Sequence, residues 1–413
     1  MAVDRSNKGL AQNTAFVLCA ELLVQVIRAA TVFVLSNVLD DVVFGEYVGI
    51  LALTTLLAPA AQWGMNHVGV RAVALELPFS ETWKKVTSAT VVGGLLGTVV
   101  AVGVGAILYD TSLVVLALFG IAQLVGFNTA QASTMMTEAH HRSEIGLRIN
   151  ISGGIVRLAI LGLFVLLGFD DLLTWSIFLL VGMVSWGLLS AVQVAREFGG
   201  GFGLRTPSRE DLRNGLGFVF VQTSSSGQTD IDKVVLGANN LELDNAVYSP
   251  GYRLAEMSTI PLIALVRASY AEFFRRGSST ITEAMTFARK LTTLAVGYGV
   301  VAGIGLLIAA PLARLILPDR LDEAITVIRW MSFIPLAKGL QYFPGNVLTG
   351  SDRHSVRSWI IFGTAIVNVV GNIIFIPQFG WQAAAVTTAV AEFLLAGALW
   401  AAVLRLAKNE TAS

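Results

Sequence analysis

Charged side chains stand inside apolar stretches of this 413-residue chain, where hydrocarbon would make them costly. Arg28, Arg157 and Arg253 are three of them. A charge near the bilayer centre costs at least about 2.5 to 3.5 kcal/mol, so such residues usually face a bundle interior or a wet cavity and mark a pathway. Arginine offers a planar fork of donors that matches phosphate oxygens. These three residues therefore predict a cavity that favours an anionic substrate.

Acidic and amide groups accompany the arginines. Glu21, Gln25 and Arg28 are spaced four and three residues apart, so they share one helix face. That face either forms an internal ion pair or lines a cavity, and both readings stay open. Further along the chain, Asp230 and Glu256 are also placed within apolar stretches. Such carboxylates predict coupling to protons or sodium ions, and the sequence does not choose between the two.

A polar run at residues 222–233 crosses one of the apolar stretches. It contains serines, glutamines, Asp230, Asp232 and Lys233, and cannot face lipid. Its serines and Gly227 also weaken a helix. The run therefore predicts a segment that bends or lines a water-filled path.

The elements that position these residues must be membrane helices. The chain is 54% hydrophobic and 14% charged, with a mean hydropathy of +0.70. A spanning helix needs about 20 mostly apolar residues, and backbone amides cannot stay unpaired in lipid. Twelve such runs are predicted, at 13–39, 43–65, 89–109, 112–137, 145–168, 172–194, 215–239, 246–271, 287–316, 323–348, 355–377 and 380–404.

The loops between these runs predict their orientation. Cytoplasmic loops of membrane proteins are rich in Lys and Arg. With the N-terminus inside, most basic residues fall in inner loops, as at Lys84 and Lys85, whereas outer loops carry acids such as Asp40 and Asp41. Both termini are therefore predicted to be cytoplasmic, in a multi-pass protein of the plasma or inner membrane.

The inner loop at residues 195–214 divides the predicted helices into six and six. We predict an N-terminal lobe at 1–194, a cytoplasmic linker at 195–214 and a C-terminal lobe at 215–413. Equal halves of this kind are a common plan of secondary transporters, whose substrate lies between the halves. The fold class predicted is thus an all-α membrane protein of two six-helix bundles around a central cavity.

Other functions lack their sequence signatures. No GxxxxGK[ST] loop or GxSxG elbow occurs, so neither ATP hydrolysis nor nucleophilic catalysis is predicted. The four histidines have no spacing suited to a metal, and no cofactor is expected. A net charge of zero gives no indication of nucleic acid. The first apolar run, with Cys19 as a small hydrophobe, is expected to be a retained helix rather than a signal peptide.

Several strings resemble a known family. Residues 232–237 (DKVVLG), followed by Ala246-Val247-Tyr248 and Tyr252-Arg253-Leu254, resemble the helix seven to eight region of Wzx-type polysaccharide flippases. Residues 349–384, with Thr349-Gly350, Asn368, Asn372 and Ile376-Pro377, are similar to the family's penultimate helix and the turn after it. The segment Phe44-Gly45-Glu46-Tyr47 resembles its helix two. The resemblance covers nearly the whole chain in order.

The resemblance implies the multidrug/oligosaccharidyl-lipid/polysaccharide exporter superfamily. The cargo would be a glycan linked through phosphate or pyrophosphate to a polyprenyl lipid, flipped from the inner to the outer leaflet by alternating access. Arg28, Arg157 and Arg253 would then hold the lipid phosphate and glycan, with Gln25 beside them. The coupling residues would be Glu21, Asp230, Asp232 and Glu256.

Some of these roles have structural alternatives. Asp232 and Lys233 match a family position that also suits an ion pair without a transport role. Asn368 and Asn372, one turn apart, bind sugar hydroxyls or a neighbouring helix. Membrane lipid and either H+ or Na+ are the other partners implied. The protein is expected to be a monomer that can associate with glycan-assembly enzymes.

Two other functions compete. One is a cation-coupled multidrug exporter of the same superfamily, which needs a carboxylate in a lobe and cavities poorer in arginine. The other is a membrane polysaccharide polymerase or glycosyltransferase. Such enzymes usually carry a large outer loop with catalytic residues, and the predicted outer loops here are short.

Overall fold

The computed structural model describes residues 25–201, 203 and 205–412. These residues form helices joined by short turns, and no strand occurs among them. Glu21 and Cys19 lie outside the described residues. The chain divides into two compact units, and the boundary between them lies between Thr223 and Ser224.

The described part of the N-terminal unit contains eight α-helices and the first half of a ninth. Its described α-helices are α1 (Gln25–Val38), α2 (Asp41–Ala61), α3 (Met65–Ala74), α4 (Phe79–Leu108), α5 (Leu113–Gly120), α6 (Asn128–Ala139), α7 (Ser143–Leu166) and α8 (Leu172–Glu197). A π-helical segment, Ile121–Phe127, joins α5 to α6 without a break.

Helix α9 (Arg209–Ala238) runs from the first unit into the second. The C-terminal unit continues with α10 (Glu242–Met257), α11 (Ile260–Gly277), α12 (Ile281–Ala309), α13 (Ala324–Trp330), α14 (Ile334–Gly350) and α15 (His354–Ala412). Short 3-10 turns at Ala310–Leu315, Asp319–Leu321 and Met331–Phe333 connect α12, α13 and α14.

Seven helical stretches of the described chain are long and apolar enough to cross a membrane. They are Asp41–Ala61, Phe79–Leu108, Leu113–Ala139, Ser143–Leu166, Leu172–Glu197, Ile281–Leu315 and His354–Glu410. Their large exposed side chains, such as Ile107 and Leu166 at 85% exposure each, suit contact with lipid. The protein is therefore a multi-pass membrane protein, and the count of twelve spans stays a prediction.

Breaks in the helices differ from the predicted runs. The run at 246–271 is two helices, separated at Ser258 and Thr259. The run at 323–348 is α13, a 3-10 turn and α14, with Pro335 near the start of α14. The break in the run at 323–348 lies beside Pro335, which has no backbone N–H to donate. The break in the run at 246–271 lies at Ser258 and Thr259, whose hydroxyls donate to backbone carbonyls of the preceding turn. Hydropathy alone does not register these breaks.

Glycine turns the last helix back on itself. Gly380 has φ 56° and ψ −137°, which divides α15 into two limbs at the junction predicted between 377 and 380. A Cβ at this position would lie 2.3 Å from Asp244 Oδ2. Glycine is required at Gly380 both by the backbone conformation and by the close approach of Asp244.

The predicted linker packs on the first unit. Lys85 Nζ of α4 lies 2.8 Å from Asp211 Oδ2, and Arg205 pairs with Glu81. Ser88 Oγ donates to the Gly203 carbonyl at 3.2 Å and accepts from the Arg205 amide at 2.9 Å. These contacts attach the linker to the first 10 residues of α4, which begins at residue 79 rather than at the predicted 89.

Candidate functional site

Two arginines of the N-terminal unit line one small pocket. Arg28 comes from α1 and Arg157 from α7, and both side chains are half-buried. The Arg28 guanidinium lies 5.2 Å from the centroid of the Phe127 ring, and Arg157 Nη2 lies 4.0 Å from Met183 Sδ. We call this the arginine pocket; its described lining is Ile27, Arg28, Phe127, Asn150, Gly153, Gly154, Arg157, Met183 and Trp186.

Small residues in α7 let the pocket walls approach. A Cβ at Gly153 would lie 2.3 Å from the Trp186 indole, and one at Gly154 would lie 2.7 Å from Ile27 Cδ1. Trp186 also donates from Nε1 to the Ile149 carbonyl at 2.9 Å. The glycine pair therefore places α1 and α8 close enough for Arg28 and Arg157 to share one pocket.

The π-helical segment supplies the aromatic face under Arg28. Phe127 is its last residue, directly before α6. One extra residue per turn shifts the side-chain register, and such segments are frequent at functional sites. A guanidinium over an aromatic face gains about 0.5 to 2 kcal/mol, more where water is excluded. Phe127 is a pocket residue that hydropathy patterns did not identify.

The arginine pocket is narrow in this structure. Its cavity of about 20 Å³ has room for roughly one water molecule. Any group larger than a water molecule would therefore have to meet the arginines on their exposed sides or widen the pocket. Gln25, predicted on the same face of α1, is exposed, and the predicted Glu21 lies outside the described residues.

Asp232 and Lys233 form the centre of a second polar cluster, in the C-terminal unit. Asp232 is 1% exposed and accepts from Tyr248 Oη at 2.6 Å and from Lys233 Nζ at 3.1 Å. Lys233 Nζ also donates to the Thr229 carbonyl at 2.6 Å and lies 4.3 Å from the centroid of the Tyr252 ring. The geometry is that of a fully hydrogen-bonded buried ion pair.

Arg253 and Glu256 form a second pair on α10. Arg253 Nη1 lies 2.6 Å from Glu256 Oε2, and about a third of each side chain is exposed. Asp230 lies 3.6 Å from Lys233 Nζ and interacts electrostatically with Arg253. The structure therefore places predicted substrate ligand Arg253 among carboxylates and in a different unit from Arg28 and Arg157.

Lys338 and Glu392 form a third pair. Lys338 lies within the predicted run at 323–348, and a lysine in a membrane helix often extends toward the membrane surface. Its Nζ instead lies 2.7 Å from Glu392 Oε1, with Glu392 only 3% exposed, and Gln341 donates to the same carboxylate. Lys338 on α14 is thus held by Glu392 on the second limb of α15.

These pairs form one charge network. Glu256 interacts electrostatically with Lys233 and Lys338 as well as with Arg253. Its members among the described residues are the carboxylates Asp230, Asp232, Glu256 and Glu392 and the cations Lys233, Arg253 and Lys338. Four carboxylates face three cations, so a bound proton or metal cation would neutralise this C-terminal charge network.

Asn372 joins the two limbs of α15, and Asn368 bonds it from the same limb. Asn372 Nδ2 donates to Asn368 Oδ1 at 2.9 Å, and Thr387 of the second limb donates to Asn372 Oδ1. Both asparagines are buried, at 1% and 0% exposure. Asn368 Nδ2 has no hydrogen-bond partner within the described part of the chain. Hydrogen bonds within α15 thus occupy three of the four amide groups that sugar hydroxyls would need, and one of these bonds joins the two limbs.

Two signals in the sequence could have identified more of the network. Tyr248, Tyr252 and Glu256 recur every four residues on α10. Lys338 and Gln341, three apart, both face Glu392. Polar residues with helical periodicity in a span predict a shared polar face. No group of three metal-ligating side chains is found in the described ranges.

Comparisons with known proteins agree with this architecture. Residues 10–271 match the family described as polysaccharide biosynthesis protein. A multidrug resistance MATE family transporter of the MOP superfamily, in an inward-facing conformation, is similar at a TM-score of 0.73 and 15% identity, over 93% of this chain and 96% of that one. No curated protein sequence matches the chain.

A second solved structure is a MOP superfamily transporter from Pyrococcus furiosus, described by the reverse polarity of its binding pocket. It is similar at a TM-score of 0.59 and 14% identity, over 95% of each chain. At these identities the likeness shows the fold, which is that of the MATE-like transporters. The chain belongs to the polysaccharide biosynthesis protein family, within the MOP superfamily of membrane transporters.

Proposed function

We propose that this protein flips a polyprenyl-(pyro)phosphate-linked oligosaccharide from the inner to the outer leaflet for surface glycan assembly, by alternating access. The observation that carries the proposal is the convergence of Arg28 and Arg157 on one pocket. Family membership in polysaccharide biosynthesis supports the glycan part of the cargo.

Arginine chemistry supports the phosphate part. Two guanidiniums from different helices offer several N–H donors to one oxyanion, and charge-assisted bonds of this kind contribute about 1.5 to 3 kcal/mol each. Asn150 and the Trp186 ring, in the same pocket, suit a sugar next to the phosphate because they offer an amide and an apolar face. The arginine pocket is therefore the proposed site of the cargo's charged head.

The C-terminal charge network supports ion coupling. Its excess carboxylate needs a proton or a metal cation for neutrality, and the side chains of Arg253 and Glu256 remain about one-third exposed. An ion that enters from water would change which carboxylate pairs with Arg253. Coupling through Glu256 and Asp230 therefore joins the proposal, with H+ or Na+ as the ion.

A multidrug exporter is the second candidate function. The carboxylates of the charge network suit a cation-coupled pump, and one of the similar structures is a multidrug transporter. The two candidates differ in cargo charge: an exporter of cationic drugs requires no anion site, whereas the flippase requires the arginine pocket.

Transport in proteoliposomes tests the proposal. A fluorescent polyprenyl-pyrophosphate-linked sugar is supplied in one leaflet, and its appearance in the other is read with an impermeant quencher. We expect flipping by the wild type, a strong loss in Arg28→Ala/Arg157→Ala, and normal flipping in Lys290→Gln, which removes an exposed cation of α12. Efflux of a cationic dye without flipping of the sugar lipid would establish the multidrug function instead.

A further inference from the structure

A second and larger cavity lies beneath the linker in the N-terminal unit. Its volume is about 680 Å³, within the usual range for small-molecule sites. We call it the linker pocket. It is lined by Trp63, Lys84, Ser88, Ala89, Val92, Gly93, Leu96 and, from the linker and α9, Gly203, Arg205, Thr206, Pro207 and Leu212.

The lining changes from basic to apolar along α4. Lys84, Ser88 and Arg205 lie at one end, while Val92 and Leu96 lie at the other. The 12 residues from Lys84 to Leu96 rise about 18 Å along the helix. Val92 and Leu96 are 48% and 57% exposed, and they continue into exposed Val99. The apolar end therefore opens toward the lipid-facing side of α4.

Lys84 is the pocket's available cation. It is half-buried, and it forms no ion pair or side-chain hydrogen bond with any group in the described ranges. Its neighbour Lys85 is already held by Asp211, and Arg205 by Glu81. Lys84 Cε would lie 3.4 Å from a Cβ at Gly201, so the linker encloses this lysine on one side.

We propose that the linker pocket binds an anionic membrane phospholipid, with its phosphate at Lys84 and an acyl chain along Val92 and Leu96. Basic pockets between membrane helices bind anionic lipid headgroups, and each cation near the surface contributes about 1 kcal/mol. Trp63, 41% exposed beside the pocket, is the residue type that membrane interfaces favour.

A phospholipid fits better than the two other sources of a phosphate group. Free phosphate would leave the apolar end of the pocket unfilled. The glycan cargo would need room for sugars next to the phosphate, in the place that Arg205, Thr206 and Pro207 occupy. The inference uses residues outside the arginine pocket, so its failure would leave the proposed transport function untouched.

A bound lipid would fasten the linker to α4. The phosphate would contact Lys84 of α4 next to linker residues Arg205 and Thr206, adding to the Lys85–Asp211 pair on the other side. The lipid would therefore stabilise the N-terminal unit and protect the linker from proteolysis, by binding the folded protein alone.

Native mass spectrometry of the purified full chain tests this assignment, with phosphatidylglycerol and phosphatidylcholine of identical acyl chains as probes. We expect the wild type to retain one phosphatidylglycerol in preference to phosphatidylcholine. Lys84→Gln should bind that lipid roughly fivefold more weakly, as one cation near the surface contributes. Lys84→Arg should restore binding, and Lys290→Gln should leave it unchanged.

Other variants separate charge from folding. Lys85→Gln loosens the linker without removing a pocket cation, so it should keep the lipid preference. Equal retention of both lipids, or full retention in Lys84→Gln, would overturn the proposal. Competition by inorganic phosphate alone would reassign the pocket to a free anion, and stronger competition by polyprenyl phosphate would reassign it to the cargo. Both results would likewise overturn the phospholipid assignment.

Discussion

The two units use intramembrane charge in different ways. In the N-terminal unit, Arg28 and Arg157 lie against Phe127 and Met183 and share one pocket. In the C-terminal unit, Lys233, Arg253 and Lys338 each lie within 3.1 Å of a carboxylate oxygen. The first arrangement suits recognition of an external anion, and the second suits a stable network that responds to an ion. We infer a division of labour between cargo binding and coupling.

The largest stability effect should come from breaking a buried pair of the charge network. Asp232→Ala removes the acceptor of Tyr248 and Lys233 and leaves a cation buried, so it should cost about 3 to 5 kcal/mol. Chemical unfolding of the purified protein measures this loss. Arg157→Ala, by contrast, should cost less than half as much while still impairing transport.

Removing both partners of a buried ion pair tests the same difference between the two units. Lys338→Met/Glu392→Met should recover most of the stability that Glu392→Ala loses, because a well-packed apolar pair of similar volume is often neutral. If the charges matter for coupling, the double variant should fold normally and yet lose its response to a proton or sodium gradient. A normal gradient response would make this pair structural only.

Single substitutions in the arginine pocket should affect transport. Arg28→Ala and Arg157→Ala should each reduce flipping by roughly tenfold or more, since each removes a charge-assisted contact worth about 1.5 to 3 kcal/mol. Initial flipping rates in proteoliposomes measure this effect. Arg28→Lys and Arg157→Lys should retain part of the rate, because the charge stays while the planar fork is lost.

The asparagines of α15 should show a small effect on stability. Asn372→Ala removes bonds to Asn368 and Thr387 and should cost about 1 kcal/mol, as for other interhelical bonds in membranes. The midpoint of chemical unfolding reports this loss. If Asn372→Ala instead weakened cargo binding with no loss of stability, sugar recognition would be its function.

The smallest effect concerns pH at the linker. Burial alone would raise the pKa of Asp211, but hydrogen bonds from Lys85 and Ser208 outweigh it and lower that pKa below the usual value. The Lys85–Asp211 contact therefore stabilises the folded state above about pH 3.9 and is lost as the pH falls through the lowered pKa. Lys85→Gln should weaken this pH dependence, because the hydrogen bonds from Ser208 to Asp211 remain. Proteolysis of the linker at pH 3 and pH 7 measures it.

The sequence predicts the helical class and most helix positions because hydropathy runs and charged loops reflect the demands of lipid directly. It does not predict α3, the break at Ser258 and Thr259 or the π-helical segment, since these depend on local hydrogen bonds within apolar or loop sequence. The sequence likewise does not predict which charged residues form pairs. Lys338 and Glu392 are 54 residues apart, and only the packing of α14 on α15 brings them together.

The same limit applies to the predicted sites. Arg28, Arg157 and Arg253 are alike in sequence, since each is an arginine inside a predicted apolar span. Their environments differ because Glu256 is one turn from Arg253 on α10, whereas Gly153 and Gly154 let Trp186 and Ile27 pack close to Arg157. Helical spacing could have indicated the Arg253–Glu256 pair. The arginine pocket could be identified only from the three-dimensional packing of the helices.

The central claim is that Arg28 and Arg157 recognise the charge of the cargo. Its most direct test compares flipping of two lipids with the same polyprenyl chain and sugar, one joined through pyrophosphate and one through a neutral link. We predict that Arg28→Ala/Arg157→Ala loses flipping of the anionic lipid and removes the wild-type preference for it over the neutral one. An undiminished preference in the double variant would contradict the claim.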